Sequence, residues 1–233
     1  MNGNTMSTES AGGLELSRQA LMVPSEVSSL KMTLIGIGAI GSNVATILAR
    51  TGVKNFVLVD PDTVGIENLG PTSFSWDDVG ELKVNAMSEQ ICEITGDTAN
   101  VEVWPERYRG RIIDSDIVIV GVDSMHVRQQ LWDWRDQFPG WKLWLDGRIG
   151  HDQMSVYTVL EGDGVQYEYY EQTLQRAQTE LPCGQKATAY ICSLIAGIMS
   201  GMVVSYLNNG LLPREIFQKT GLEGGGMFFS VIE

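Results

Sequence analysis

The chain has 233 residues, 43% hydrophobic and 19% charged, enough for one sizeable core. Its net charge of −13 and pI near 4.5, with no basic run in view, argue against nucleic acid as a partner. Three cysteines, Cys92, Cys183 and Cys192, lack paired spacing, which excludes a disulfide framework and a four-cysteine zinc site and points to a reducing, cytoplasmic setting.

In chain order, the first 13 residues are polar and glycine-rich and read as a disordered tail without a secretory signal, leaving 14–233 as a single domain. Leu14 to Met22 reads as a short helix and Pro24 to Glu26 as a connection. The apolar run Met32–Ile35 then enters a glycine turn, Gly36-Ile37-Gly38-Ala39-Ile40-Gly41, followed by helical spacing over Val44–Leu48. A second run, Phe56–Val59, ends at Asp60, about 20 residues past the turn. Strand, turn, helix, strand and acid together predict a nucleotide site. Gly36 permits the tight turn, Gly38 admits a phosphate to the backbone, and Gly41 lets the helix pack close. The first helical amides face the anion.

A loop over 61–80 carries Asp62, Asn68 and Gly70-Pro71. Lys83 opens a helix with Val84, Met87, Ile91 and Ile94 on one face. Val101–Trp104 and Asp116–Val122 read as strands, the second buried and ending at Asp123. Val127, Leu131, Trp134 and Phe138 mark a helix face. Trp141–Leu145 is a strand ending at Asp146-Gly147-Arg148, and Gln153–Leu160 alternates as a further strand. Tyr167–Thr179 reads as a helix running into a mobile loop. Ala187–Leu207 holds 21 residues without a charge; its serines, threonine and glycines favour a buried helix over a membrane span. Pro213 starts a short helix, and Met227–Ile232 is a last strand. The expected fold is α/β: a Rossmann-like, doubly wound, mostly parallel sheet with helices on both faces. Gly36, Asp60, Asp123 and Asp146 gather at its carboxyl edge.

These residues permit specific chemistry. Asp60 can accept hydrogen bonds from ribose hydroxyls. Asp123 either holds Mg2+ or caps the helix that follows. Lys83 can neutralise charge on a transferred group or stand solvated. Asn68 can donate to a phosphate or close a turn. Arg148 is either an anion clamp or a partner for Asp146. Cys183, near a helix start and Lys186, is a candidate nucleophile, whereas Cys92 and Cys192 read as core. His126 and His151 have no ligand-like spacing.

Several segments together resemble the ThiF/MoeB family of adenylyltransferases, the bacterial relatives of ubiquitin-activating enzymes. They are Ser17-Arg18-Gln19, Gly36–Ser42, DPDTVGIENL over Asp60–Leu69, DVGELK over Asp78–Lys83 and VDSMHVR over Val122–Arg128. The resemblance runs from about Leu16 to Leu207 and implies ATP with Mg2+ rather than a dinucleotide. It implies that Asp60 binds the ribose, that Gly38, Ala39 and Gly41 pass close to the nucleotide, that Asn68 and Lys83 contact phosphates, and that Asp123 holds Mg2+. Arg18 matches an arginine that reaches into a partner subunit's site, which implies a homodimer. The arginine expected shortly after Asn68 is replaced by Gly70 or Pro71, and Arg148 is the candidate substitute. The family's zinc-binding cysteine pairs are absent, so this is read as a zinc-free branch.

The implied reaction is attack of the C-terminal carboxylate of a small ubiquitin-like or sulfur-carrier protein, or of a peptide, on the α-phosphate of ATP. Cys183 could then capture the acyl group as a thioester. The alternatives are a tRNA-base carboxylate dehydratase of the same family, an ATP-binding assembly subunit of weak activity, and an NAD-dependent oxidoreductase.

Overall fold

The computed structural model describes residues 14–150, 153–176, 188–210, 212–219 and 228–233. Eight strands form one sheet: β1 (Lys31–Ile35), β2 (Asn55–Val59), β3 (Asn100–Trp104), β4 (Ile117–Val120), β5 (Leu143–Ile149), β6 (Gln153–Leu160), β7 (Glu215–Lys219) and β8 (Phe228–Ile232). Their order is β3-β2-β1-β4-β5-β6-β7-β8. The first five are parallel, and the last three continue the sheet antiparallel. The chain winds outward both ways from β1, so the switch point lies between β1 and β4, where crevices for ligands open.

Helices cover both faces: α1 (Gly41–Thr51), α2 (Lys83–Thr95), α3 (Met125–Asp133), α4 (Gly164–Arg176) and α5 (Ala189–Asn209). Strand periodicity sorts the core. Ile117 and Ile119 of β4 and Leu143 and Leu145 of β5 pack with residues of α1, α2 and α5. Their alternates Val118, Val120 and Trp144 pack on the other face with Leu131, Trp132, Tyr170 and Leu174. Every residue of β4 is buried, as expected of a central parallel strand covered on both sides.

The uncharged stretch near the carboxyl end forms α5, which is long and apolar enough to cross a membrane by length and composition, with a mean hydropathy of 1.8. Its Ile191, Ile195, Met199 and Val203 are buried against the α1 side of the sheet, while Tyr190, Leu194, Gly197 and Gly201 are exposed. Burial is thus one-sided rather than complete.

Four expected elements differ. Residues 17–22 form turns, not a helix, held by short-range bonds such as Gln19 N to Leu16 O at 2.8 Å. The expected stretch, Leu14 to Met22, is too short for a helix to persist without tertiary support, and the regular turn comes later, as the 3-10 segment Ser25–Ser29. The helix after Asp123 stops at Asp133, and Phe138 reaches the core through a 3-10 turn over Arg135–Gln137. The segment after Pro213 is strand β7, because β6 and β8 supply partners on both sides. Finally, β5 does not end at Leu145. Its antiparallel pairing with β6, from Leu143 with Leu160 to Ile149 with Met154, extends it through Asp146 and Arg148. The expected tail over 1–13, the loop over 177–179, Cys183, Lys186 and His151 lie outside the described residues.

Candidate active site

The glycine turn leaves β1 at Gly36, whose φ of +90° suits glycine. A Cβ on Gly36 would stand 2.8 Å from the Gly121 carbonyl carbon, and one on Gly41 1.9 Å from the Gly36 oxygen. Gly121, just beyond β4, faces the same contact: a Cβ there would meet the Gly36 oxygen and the Gly41 nitrogen at 3.1 Å. The turn is therefore wedged into the switch point by three glycines, two from the motif and one from the neighbouring strand. Gly38 differs. A Cβ there meets nothing within 4 Å, so its surface is open.

The amides of Gly38, Ala39 and Ile40 take no acceptor among the described residues, whereas Ile37 N donates to the Asp60 carboxylate at 2.7 Å. Ser42 N and Oγ both donate to Gly38 O, at 3.0 and 2.7 Å, which fixes the turn on the start of α1. Open amides at a helix start are what an anionic phosphate requires.

From the turn a hydrogen-bonded chain leads to the lysine. Asp60 is buried, with one carboxylate oxygen on Ile37 N and the other accepting from Asp62 N at 2.9 Å. Lys83, the first residue of α2, is buried and donates through Nζ to Asp62 Oδ2 at 3.0 Å, and its backbone N donates to Asp62 O at 2.9 Å. Burial raises the Asp60 carboxyl above its ordinary range; the Lys83 charge and the amides of Asp62 and Ile37 offset only part of this. Ile37, Asp60, Asp62 and Lys83 thus form one connected set at the carboxyl edge.

Asn68 closes its turn by accepting from Gly65 N at 2.9 Å through Oδ1. Its Nδ2 donates to nothing among the described residues and remains available. Where an arginine was expected, Pro71 O instead accepts from Asn43 Nδ2 at 3.0 Å, and Ser73 N donates to Ser42 Oγ at 3.2 Å. Asp123 is exposed at the same edge, between β4 and α3. The α3 cap is Ser124, whose hydroxyl accepts from Val127 N, so the capping alternative belongs to the next residue. Among the described residues no cluster of three metal-ligating side chains occurs. A Mg2+ site needs none, since one or two carboxylates with substrate phosphates suffice.

Asp146 and Arg148 belong elsewhere. Asp146 is fully buried on the α3–α4 face and accepts from Arg128 Nε at 2.8 Å, Arg148 Nε at 2.7 Å and the Tyr170 hydroxyl at 3.0 Å. Arg128 also donates to Gly147 O at 2.8 Å. Arg148 continues to Thr173 Oγ1 at 3.1 Å and stacks over Tyr157 at 4.1 Å. Burial alone would raise the Asp146 carboxyl; Arg148 and Arg128 outweigh it and hold the group below the usual range. Asp146 is thus not a strand-end acid facing a ligand, and the partner alternative for Arg148 is the one observed.

Arg18 is exposed at the opposite end of the sheet. Its neighbour Gln19 donates to Arg50 O in the last turn of α1, and α1 spans 11 residues, about 16 Å. Arg18 cannot serve the glycine turn of its own chain.

Residue-by-residue reading missed Arg128 and Gly121 as structural parts of this region. It also missed three exposed arginines within five residues, Arg107, Arg109 and Arg111, in the loop after β3 at the carboxyl edge. Arg111 lies over the Trp104 ring at 4.0 Å. The acidic average of the chain hid this local basic patch.

A Rossmann-like, mostly parallel α/β protein is the class that the sheet order and glycine turn define. The ThiF family profile matches residues 18–222, and the chain belongs to that family. The chain is 34% identical over 118 residues to ubiquitin-like modifier-activating enzyme 5 of Dictyostelium discoideum, covering 44% of this chain and 31% of the relative. It is 30% identical over 112 residues to molybdopterin-synthase adenylyltransferase of Haemophilus influenzae, covering 46% of each. The matched stretches therefore span less than half the length of these relatives. The crystal structure of Escherichia coli MccB with ATP superposes with a TM-score of 0.70 at 17% identity, over 91% of this chain and 66% of that one.

Proposed function

We propose that this chain adenylates a C-terminal carboxylate. The carrying observation is the continuous set from Ile37 through Asp60 and Asp62 to Lys83, beside three open amides. A carboxylate oxygen attacks the α-phosphorus of ATP, the bond to the β-phosphate breaks, and pyrophosphate leaves with its electron pair. The attacking group is already ionised, so no general base is needed, and positioning with charge stabilisation does the work. Open amides at Gly38–Ile40 receive phosphate oxygens, Asp60 orients the ribose, and Asn68 Nδ2 and Lys83 Nζ turn to phosphate. Gly36 and Gly41 hold the turn that aims those amides. Asp123 would hold Mg2+, which when bound neutralises phosphate charge.

The acceptor is a small ubiquitin-like or sulfur-carrier protein, or a peptide C-terminus. Relatives named as a ubiquitin-like modifier-activating enzyme and a molybdopterin-synthase adenylyltransferase, and a fold neighbour crystallised with ATP and, in a separate structure, with AMPCPP and MccA, support that class. We read the chain as a homodimer in which Arg18, far from its own turn, acts in the partner's site, as the family resemblance implies. The Cys183 thiolate would then attack the acyl carbon of the adenylate, forming a thioester as the bond to the phosphate oxygen breaks and AMP leaves. The chain works without zinc in a reducing, cytoplasmic setting. Carboxylate-dependent exchange of labelled pyrophosphate into ATP tests the reading. Exchange that needs the carboxylate and is lost in Lys83→Ala supports it.

One observation favours a second reading. The arginine expected near Gly70 is replaced, and Arg148 is engaged by Asp146 and Thr173. An ATP-binding assembly subunit of weak activity would bind ATP and give no exchange with any carboxylate.

A further inference from the structure

We infer that the excursion between Asp62 and Lys83 is a docking surface for the protein or peptide whose carboxylate is activated, and that it fits a segment combining basic and apolar side chains. The inference rests on the adenylating reading for what happens to the docked segment's end.

The excursion is closed by a short antiparallel ribbon. Thr63 bridges Leu82, Val64 N donates to Glu81 O at 2.8 Å, and Gly80 N donates to Val64 O at 2.9 Å. It is also anchored to the core. Phe74 is buried, Ser73 and Pro71 bond to Ser42 and Asn43, and Gln90 Nε2 donates to Asp78 at 3.0 Å. The loop is therefore a built surface rather than a loose strand of chain.

On that surface three large apolar side chains face outward: Trp76 at 71% exposure, Ile66 at 61% and Val79 at 36%. The ribbon bonds Gly80 to Val64, so Val79 and Ile66 lie one and two residues beyond the paired positions on its two sides. Trp76 lies one turn before Val79, whose N donates to Trp76 O. Single exposed apolar residues are ordinary. A tryptophan grouped with two aliphatic neighbours on an anchored loop is the composition of an interaction hot spot.

Charge selects the occupant. From Asp60 to Leu82 the sequence has six acids and no lysine or arginine. Of these, Asp62, Glu67, Asp77 and Glu81 are exposed around the apolar group. A second copy of a chain carrying −13 brings mostly like charge. A segment with lysine or arginine flanking an apolar side chain meets both features. The excursion begins at Asp62 and ends at Lys83, which are bonded to each other beside Asp60, so a segment lying on it runs to the edge where the α-phosphate is handled.

The test uses two synthetic peptides with free C-terminal carboxylates, one alternating lysine and leucine, the other glutamate and leucine, both ending in two glycines. Fluorescence anisotropy reads affinity, and acrylamide quenching reads shielding of the exposed tryptophan. The lysine–leucine peptide should bind and shield Trp76, weaken as salt is raised, and lose about 30-fold in affinity in Trp76→Ala. The glutamate–leucine peptide should bind at least about tenfold more weakly. Equal affinity for the two peptides, or no shielding by either, overturns the inference. So does shielding that rises with protein concentration alone and disappears with a dimer in Trp76→Ala, because a second copy is then the occupant. ATP calorimetry on the same samples separates the two claims: peptide failure with ATP binding intact sinks only this surface, whereas absent ATP binding sinks the reading beneath it.

Discussion

Replacing Asp146 by asparagine keeps the shape of a fully buried side chain and removes its charge. Two guanidiniums then lose their counter-ion: Arg128, with Nε at 2.8 Å, and Arg148, with Nε at 2.7 Å. Arg128 keeps Gly147 O and Arg148 keeps Thr173, so hydrogen bonding survives in part while net charge remains buried. Breaking a buried pair from one side costs about 3–5 kcal/mol. For a chain of this size each kcal/mol moves the melting temperature by about 2–4 °C. The expected fall is thus roughly 6–20 °C, with a lower urea midpoint and an unchanged slope. The pH dependence has a definite sign. The folded carboxyl lies below its ordinary range, so its stabilising contribution is present above the unfolded value of about 3.9 and is lost as pH falls through the folded value. The gap between wild type and Asp146→Asn should stay flat from pH 7 to about 4 and close below that. A variant within about 1 kcal/mol of wild type at pH 7, or a gap that closes near neutrality, refutes the reasoning.

Other outcomes follow from the glycine turn, the lysine and the proposed dimer. Gly41→Ala places a Cβ 1.9 Å from a carbonyl oxygen and should cost on the order of 3 kcal/mol in urea unfolding. Gly38→Ala meets nothing within 4 Å and should keep wild-type stability while weakening ATP binding in calorimetry. In Lys83→Met the largest influence lowering the Asp60 carboxyl is gone, so its raised titration, followed by carboxyl NMR, should move higher still. Because that folded value is already raised, ionisation of Asp60 costs stability as pH rises from about 3.9 through it, and the loss should grow in the variant. Arg18→Ala and Asp123→Ala chains, each inactive alone, should regain up to about a quarter of exchange activity when mixed, if sites are shared across a dimer. No recovery would put Arg18 outside the mechanism.

The nucleotide edge was legible because its parts are local in sequence. The glycines, the apolar runs of β1 and β2, Asp60 and Lys83 lie within 53 residues, counted from Lys31 to Lys83, and periodicity alone places them on strand, turn and helix. The Asp146 cluster was not legible because it depends on β6 pairing back along β5 and carrying Asp146 into the sheet interior. One signal was present: Arg128 sits three and four residues before Leu131 and Trp132, both buried, so an arginine shares the apolar face of α3. An arginine in an apolar stripe asks for a buried acid. Gly121 needed knowledge that β4 is the neighbour of β1. The exposed Trp76 was visible in the sequence among acids, but only the ribbon from Val64 to Gly80 shows that it points outward on an anchored loop.

The central claim is that this glycine turn serves ATP with Mg2+. Calorimetric titration of wild type and Asp123→Ala with ATP and Mg2+, set against NAD, tests it most directly. ATP binding that weakens in the variant, with no heat from NAD, is the predicted result. NAD binding without ATP binding would contradict it and return the fold to dinucleotide chemistry.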